Sequence, residues 1–151
     1  MTELEILLAK EKVRTLQARY VRIADSQDWK ALSDLFTQEA RFTAHDVAGE
    51  VAGVMTGRAE IAAGTGSGVG SAVVIHHLFS YEIEILSDDT AHGVWSMEDW
   101  IDRREQPNPS DPDGFRTMRG YGHYHIDYRK INGVWFIADL KLRRTRIDFT
   151  Y

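Results

Sequence analysis

An α+β fold is predicted for this chain: helices at the N-terminus, then a curved antiparallel or mixed sheet that wraps around them as a cone with an interior pocket. Three observations lead there. Apolar residues recur at three- and four-residue intervals over the first part of the chain, long segments of alternating polarity fill the second half, and tight-turn residues separate those segments.

The elements follow in order. Thr2 and Glu5 form a capping-box pattern, and Leu4, Leu8, Val13, Leu16, Tyr20 and Ile23 fall on one side of a single long amphipathic helix. Asp28 is placed to cap a second helix whose buried stripe would be Trp29, Leu32, Leu35 and Phe36, with the chain turning extended near Ala40. Arg41 to Met55 reads as two short strands around Gly49, and Arg58 to Ala63 as a short helix entered through Gly57. Gly64 to Gly70 reads as a flexible loop. Its glycines resemble a phosphate loop in composition only, since the lysine and the strand-before, helix-after context are missing.

Long strands are expected at Val73 to Leu86, Thr90 to Arg103, Phe115 to Ile131 and Val134 to Asp148. Ser87-Asp88-Asp89 makes the first turn, and Asn132-Gly133 closes the last hairpin because both residues tolerate the positive φ of a type I′ turn. All three prolines sit between Glu105 and Gly114, a connection read as an exposed loop that could overhang the pocket mouth.

Composition excludes several classes. The 151 residues fit one domain, 1–151, and the 43% hydrophobic content contains no run near the roughly 20 residues a membrane span needs. Eighteen basic against 23 acidic residues give a net charge of -5, which repels nucleic acid backbones. Without cysteine, disulfides, thiolate metal sites and cysteine nucleophiles are out, and the acidic N-terminal helix is unlike a signal peptide, so a cytoplasmic location is expected. Self-association as a dimer or trimer is expected because the outer face of such a sheet, carrying Trp95 or Trp135 on one side or the other, is too apolar to leave open.

Polar residues on apolar faces mark the candidate site. Trp95, Met97, Asp99 and Ile101 share one strand face, and Phe136, Ala138, Leu140, Leu142 and Arg144 share another. An unpaired buried charge is costly, so Asp99 and Arg144 either pair with each other or grip a ligand. Of the adjacent His76 and His77, simple alternation from Phe79, Tyr81, Ile83 and Ile85 turns His77 inward, unless a β-bulge between residues 77 and 82 shifts the parity. Asp25, at the end of the first helix, would orient such an imidazole as a general base. His123 and His125 share a face with Tyr121 and Asp127, but the spacing supplies no clear third ligand and no metal is predicted.

At these residues the chain resembles the nuclear-transport-factor-2-like superfamily in its SnoaL-like branch, and within it the bile acid 7α-dehydratase type. The resemblance runs from about Val13 to Ile147 through RYVRIADSQDW, IHHLFSYEIEILSDDTAHGVWSMED and YRKINGVWFIADLKLRR. It implies that Tyr20, Asp25 and His76 are catalytic, that Asp99 and Arg144 bind substrate, and that no cofactor or metal is used. More distantly the chain is similar to scytalone dehydratase and hexachlorocyclohexane dehydrochlorinase, whose aspartate–histidine dyad falls on Asp25 and His76. The register so implied selects His76 over His77 and demands the bulge.

The expectation is a dehydratase that acts on a hydrophobic, polycyclic or steroid-like carbonyl compound through His-Asp proton abstraction. An isomerase of the same substrate class starts with the same step, and a non-catalytic module like the small subunit of ring dioxygenases is the third possibility.

Overall fold

Thr2 does cap the first helix. Its Oγ1 accepts from the Glu5 amide at 3.3 Å while the Thr2 N–H donates to Glu5 Oε2 at 2.6 Å. In the computed structural model, which describes residues 1–105 and 114–151, this helix is α1, Glu3–Ser26. It ends on Gln27 in the left-handed region, φ 58°. Its packed face begins at Ala9 and continues through Val13, Leu16, Tyr20 and Ile23, whereas Leu4 and Leu8 are exposed. Helix α2, Trp29–Ser33, is capped by Asp28 Oδ1 on the Ala31 amide at 3.0 Å. It is shorter than the periodicity implies: Phe36 already opens a strand, and the Leu35 carbonyl accepts from the Ile137 amide at 2.9 Å.

Strands β1 (Phe36–His45) and β2 (Val51–Thr56) form the first hairpin, and α3 follows at Arg58–Val69. The stretch from Gly64 expected as a flexible loop is therefore helix. Its glycines serve close packing: a Cβ on Gly64 would collide with Met55 Sδ, and one on Gly66 would stand 3.1 Å from the Trp29 indole nitrogen. Tertiary contact thus outweighs the poor helix propensity of glycine, about 1 kcal/mol per residue.

Four long strands complete the fold: β3 (Val73–Ile85), β4 (Thr90–Asp102), β5 (Thr117–Ile131) and β6 (Val134–Thr150). Asn132 and Gly133 take φ of 49° and 82° in the last hairpin turn. The six strands form one curved mixed sheet in the order β2-β1-β6-β5-β4-β3, parallel only between β1 and β6. The proline connection expected to overhang the pocket lies, with Pro107, Pro109 and Pro112, outside the described residues.

Two readings based on simple alternation change. In β6, Asp127 pairs with Asp139 and Tyr128 with Ile137, so Ala138 is bulged out of the ladder. The inward residues are consequently Trp135 and Ile137, then Leu140, Leu142 and Arg144, in place of Phe136 and Ala138. Trp95 and Trp135 are both buried in the core, so neither of them lies on the outer face of the sheet. The Trp95 indole donates to the Tyr128 hydroxyl at 2.8 Å, and that hydroxyl donates to Gln17 Oε1 at 3.0 Å, which leaves only the Gln17 amide nitrogen of this buried chain without a partner among the described residues. Among the described residues no helix is long and apolar enough to cross a membrane.

Candidate active site

The last two turns of α1 deliver Tyr20 and Asp25, and β3 delivers the histidine. Leu78 pairs with Met97 but Tyr81 pairs with Trp95, so two residues of β3 oppose the single Ser96 of β4. This bulge reverses the parity counted back from Ile83 and Ile85. His76 turns toward α1, and His77 turns outward, where its Nδ1 lies 3.0 Å from Glu98 Oε1. Asp25 Oδ1 accepts the His76 backbone N–H at 2.9 Å and lies 2.7 Å from its ring Nδ1. One carboxylate oxygen thus holds both the strand and the ring. An imidazole facing a carboxylate through Nδ1 carries its proton there, which leaves the Nε2 lone pair free.

His76 opens a row across the sheet. It stands opposite Asp99 on β4, Asp99 opposite Gly120 on β5, and Arg144 reaches over Gly120 from β6. Arg144 Nη1 and Nη2 meet Asp99 Oδ1 and Oδ2 at 2.5 and 2.8 Å, a bidentate pair with side-chain exposures of 11% and 8%. Of the two alternatives the sequence left open, pairing with each other or gripping a ligand, the structure shows the pair: Asp99 engages the Arg144 fork. Burial works to lower the Arg144 pKa, but the hydrogen bonds and charge of Asp99 more than offset it and the guanidinium stays raised.

Gly120 was not singled out from the sequence. A Cβ there would overlap both Arg144 Nη1 and Asp99 Oδ1, so the ion pair exists because position 120 has no side chain. Tyr124 is a second addition. It lies on the inward face of β5 with Met118 and Gly120, and its ring meets Tyr20 edge-to-face at 5.9 Å. Burial, then the nearby Asp99 charge, pushes the Tyr20 phenol well above the ordinary tyrosine range. Burial, then Tyr20, does the same to Tyr124. Both phenols are fixed as neutral donors. Period-2 alternation along Met118, Gly120, Gly122 and Tyr124 is the sequence signal for this face.

These groups line one end of a cavity of about 380 Å³ whose remaining wall includes Trp29, Phe42, Met55, Met118, Leu142 and Phe149. Asp25 is not part of that lining and stands behind His76. His123 and His125 lie on the other face of the sheet, where His92 Nδ1 is 2.7 Å from Asp127 Oδ1. Among the described residues no three histidine, aspartate or glutamate side chains are placed to share an ion.

A cone-like sheet closed by an N-terminal helix, with polar groups gathered at one end of an apolar hollow, defines a pocketed domain of the nuclear-transport-factor-2-like class. The chain belongs to the SnoaL-like domain family, whose model matches residues 5–141. It is 24% identical over 140 residues to the probable cyclase FGR4 of Gibberella zeae, which covers 87% of this chain and 88% of that protein. Its fold is similar to a type 2 hexachlorocyclohexane dehydrochlorinase, with a TM-score of 0.80, 14% identity and coverage of 99% and 94%. A scytalone dehydratase-like protein of Novosphingobium aromaticivorans gives 0.74, 19% identity and coverage of 96% and 89%.

Proposed function

We propose that the protein is a cofactor-independent dehydratase acting on a hydrophobic, polycyclic carbonyl compound. The observation that carries this is the His76–Asp25 contact at 2.7 Å, made by an imidazole that also lines the cavity. The free Nε2 takes a proton from a carbon next to the substrate carbonyl, and the Nδ1–H···carboxylate bond holds the tautomer and stabilises the imidazolium that forms. Tyr20, kept protonated by burial, donates to the developing enolate or to the departing hydroxyl. The imidazolium then returns its proton to the leaving oxygen, which departs as water. Asp99 and Arg144 hold each other rigid beside His76 and present a neutral polar wall to the carbonyl end of the substrate.

The relative named as a probable cyclase favours a second reading, carbon–carbon ring closure, because an aldol step begins with the same proton abstraction. Isomerisation shares that step as well. A non-catalytic module has no need of the dyad.

The test is incubation with β-hydroxy carbonyl compounds in deuterated water, followed by mass spectrometry for exchange and loss of water. His76→Ala is expected to lose about 10²–10⁴-fold in rate, the usual worth of a positioned base. Asp25→Asn is expected to slow the reaction while leaving binding intact. Equal rates for wild type and His76→Ala on every compound bound would remove the base assignment.

A further inference from the structure

A second arginine enters the same cavity. Arg103 follows β4 on the inward parity of Asp99 and Ile101 and is only 9% exposed. It stands four positions beyond Asp99 in the chain, a Cα spacing of about 13 Å at roughly 3.3 Å per strand residue. Among the described residues its contacts are few for a buried guanidinium: Nη2 donates to the Gly68 carbonyl at 2.7 Å, and Cζ sits 4.0 Å over the Phe115 ring. The adjacent described acids, Asp102 and Glu105, do not serve it. Asp102 gives both carboxylate oxygens to Arg104, and the Glu105 charge acts on Arg104 too.

Among the described residues, then, the cavity holds two guanidiniums and one lining carboxylate, and that carboxylate is bound to Arg144. Among the described residues Arg103 uses one of its five donors, on Gly68, and meets no counter-ion; a buried guanidinium so placed is costly, and a ligand anion recovers that cost. Arg103 lines the cavity beside Phe115, Val69 and Ile101, apart from the row of His76, Asp99 and Arg144.

We propose that Arg103 is a specificity-determining residue that selects substrates carrying an anionic group, a carboxylate above all, at the end of the molecule remote from the carbon attacked by His76. This rests on the same cavity being the substrate site and refines the substrate class to an elongated, apolar, monoanionic compound. The apolar stretch of wall between the two polar stations, the row of Ile101, Met118 and Phe149, suits fused or linked rings.

The probes are 2-anthracenecarboxylate and the neutral 2-anthracenecarboxamide, matched in shape and different in charge, with dissociation constants read by fluorescence titration. Wild type is expected to bind the carboxylate at least about tenfold more tightly than the amide, the worth of one charge-assisted hydrogen bond. Arg103→Gln is expected to abolish the preference while changing the amide affinity less than about threefold, and Arg103→Lys to keep part of it. His76→Ala is expected to retain the preference in full, so failure of the elimination reading leaves this result standing. The wild-type preference is also expected to weaken as salt is raised, a measurement that does not depend on any variant folding. Equal affinity of wild type for the two probes, a preference that survives in Arg103→Gln, or no binding of either probe overturns the proposal. A fall in stability of Arg103→Gln with the preference unchanged assigns the residue to holding the end of α3 alone.

Discussion

Replacing Gly120 by alanine tests whether the buried ion pair organises the site. The new Cβ would fall on Arg144 Nη1 and Asp99 Oδ1, with Arg144 Cζ at 2.8 Å, closer than real Cβ contacts come. The side chains are only 11% and 8% exposed, so the room left to them is the cavity they line. Separating them leaves two uncompensated buried charges, a cost of about 3–5 kcal/mol. With a urea m-value of about 2 kcal/mol/M, the lower figure moves the unfolding midpoint down by about 1.5 M. The control is Gly53→Ala on β2, where no atom lies within 4 Å of the added methyl. Removing a glycine there is expected to be neutral or to stabilise by up to about 1 kcal/mol. Urea denaturation followed by tryptophan fluorescence reads both. A Gly120→Ala midpoint at or above that of wild type would show that Arg144 and Asp99 do not depend on the open space over β5, and the proposed site geometry would fall with it. Turnover should drop alongside stability, because Asp99 stands directly across from His76.

Tyr20→Phe keeps the ring contacts with Phe36 and Tyr124 but removes the donor, so turnover is expected to fall about 10²–10³-fold with little change in the urea midpoint. Unaltered turnover would take the phenol out of the mechanism. His77→Ala, which touches only the outer face, should leave turnover within about twofold; a loss comparable to that of His76→Ala would mean the bulge places the wrong ring inward. Burial raises the phenol pKa of Tyr20, Tyr124 and Tyr128. The folded state therefore keeps protons that the unfolded chain releases above about pH 10. Their contribution to stability is complete below that pH and declines above it, by about 1.4 kcal/mol per pH unit for each phenol. Urea midpoints measured from pH 9 to 11 should drop steeply, and a flat profile would contradict the burial of these hydroxyls.

The local features that proved legible are those in which one residue type has one physical solution. Thr2 with Glu5, Asp28, and Asn132-Gly133 each appear where capping and turn chemistry require them. The inward row of Trp95, Met97 and Asp99 followed from the pleat alone. Readings failed where a local pattern met a distant partner. Gly64 to Gly70 reads as a loop because glycine weakens isolated helices, yet in the fold the missing side chains of Gly64 and Gly66 admit Met55 and Trp29. Phe136 and Ala138 were given the wrong face because a period of two cannot register the bulge at Ala138.

The sequence by itself determined the order of helices and strands, the inward face of β4, and a set of polar residues too many for an inert core. Alternation, capping and turn geometry are short-range, and each is written into a few neighbouring positions. Which imidazole faces Asp25, and the passage of Arg144 across Gly120 to Asp99, were decided only by tertiary structure. A bulge slips the register of one strand against another, and a missing Cβ matters only to atoms that arrive from two other strands, so neither is a property of any single segment.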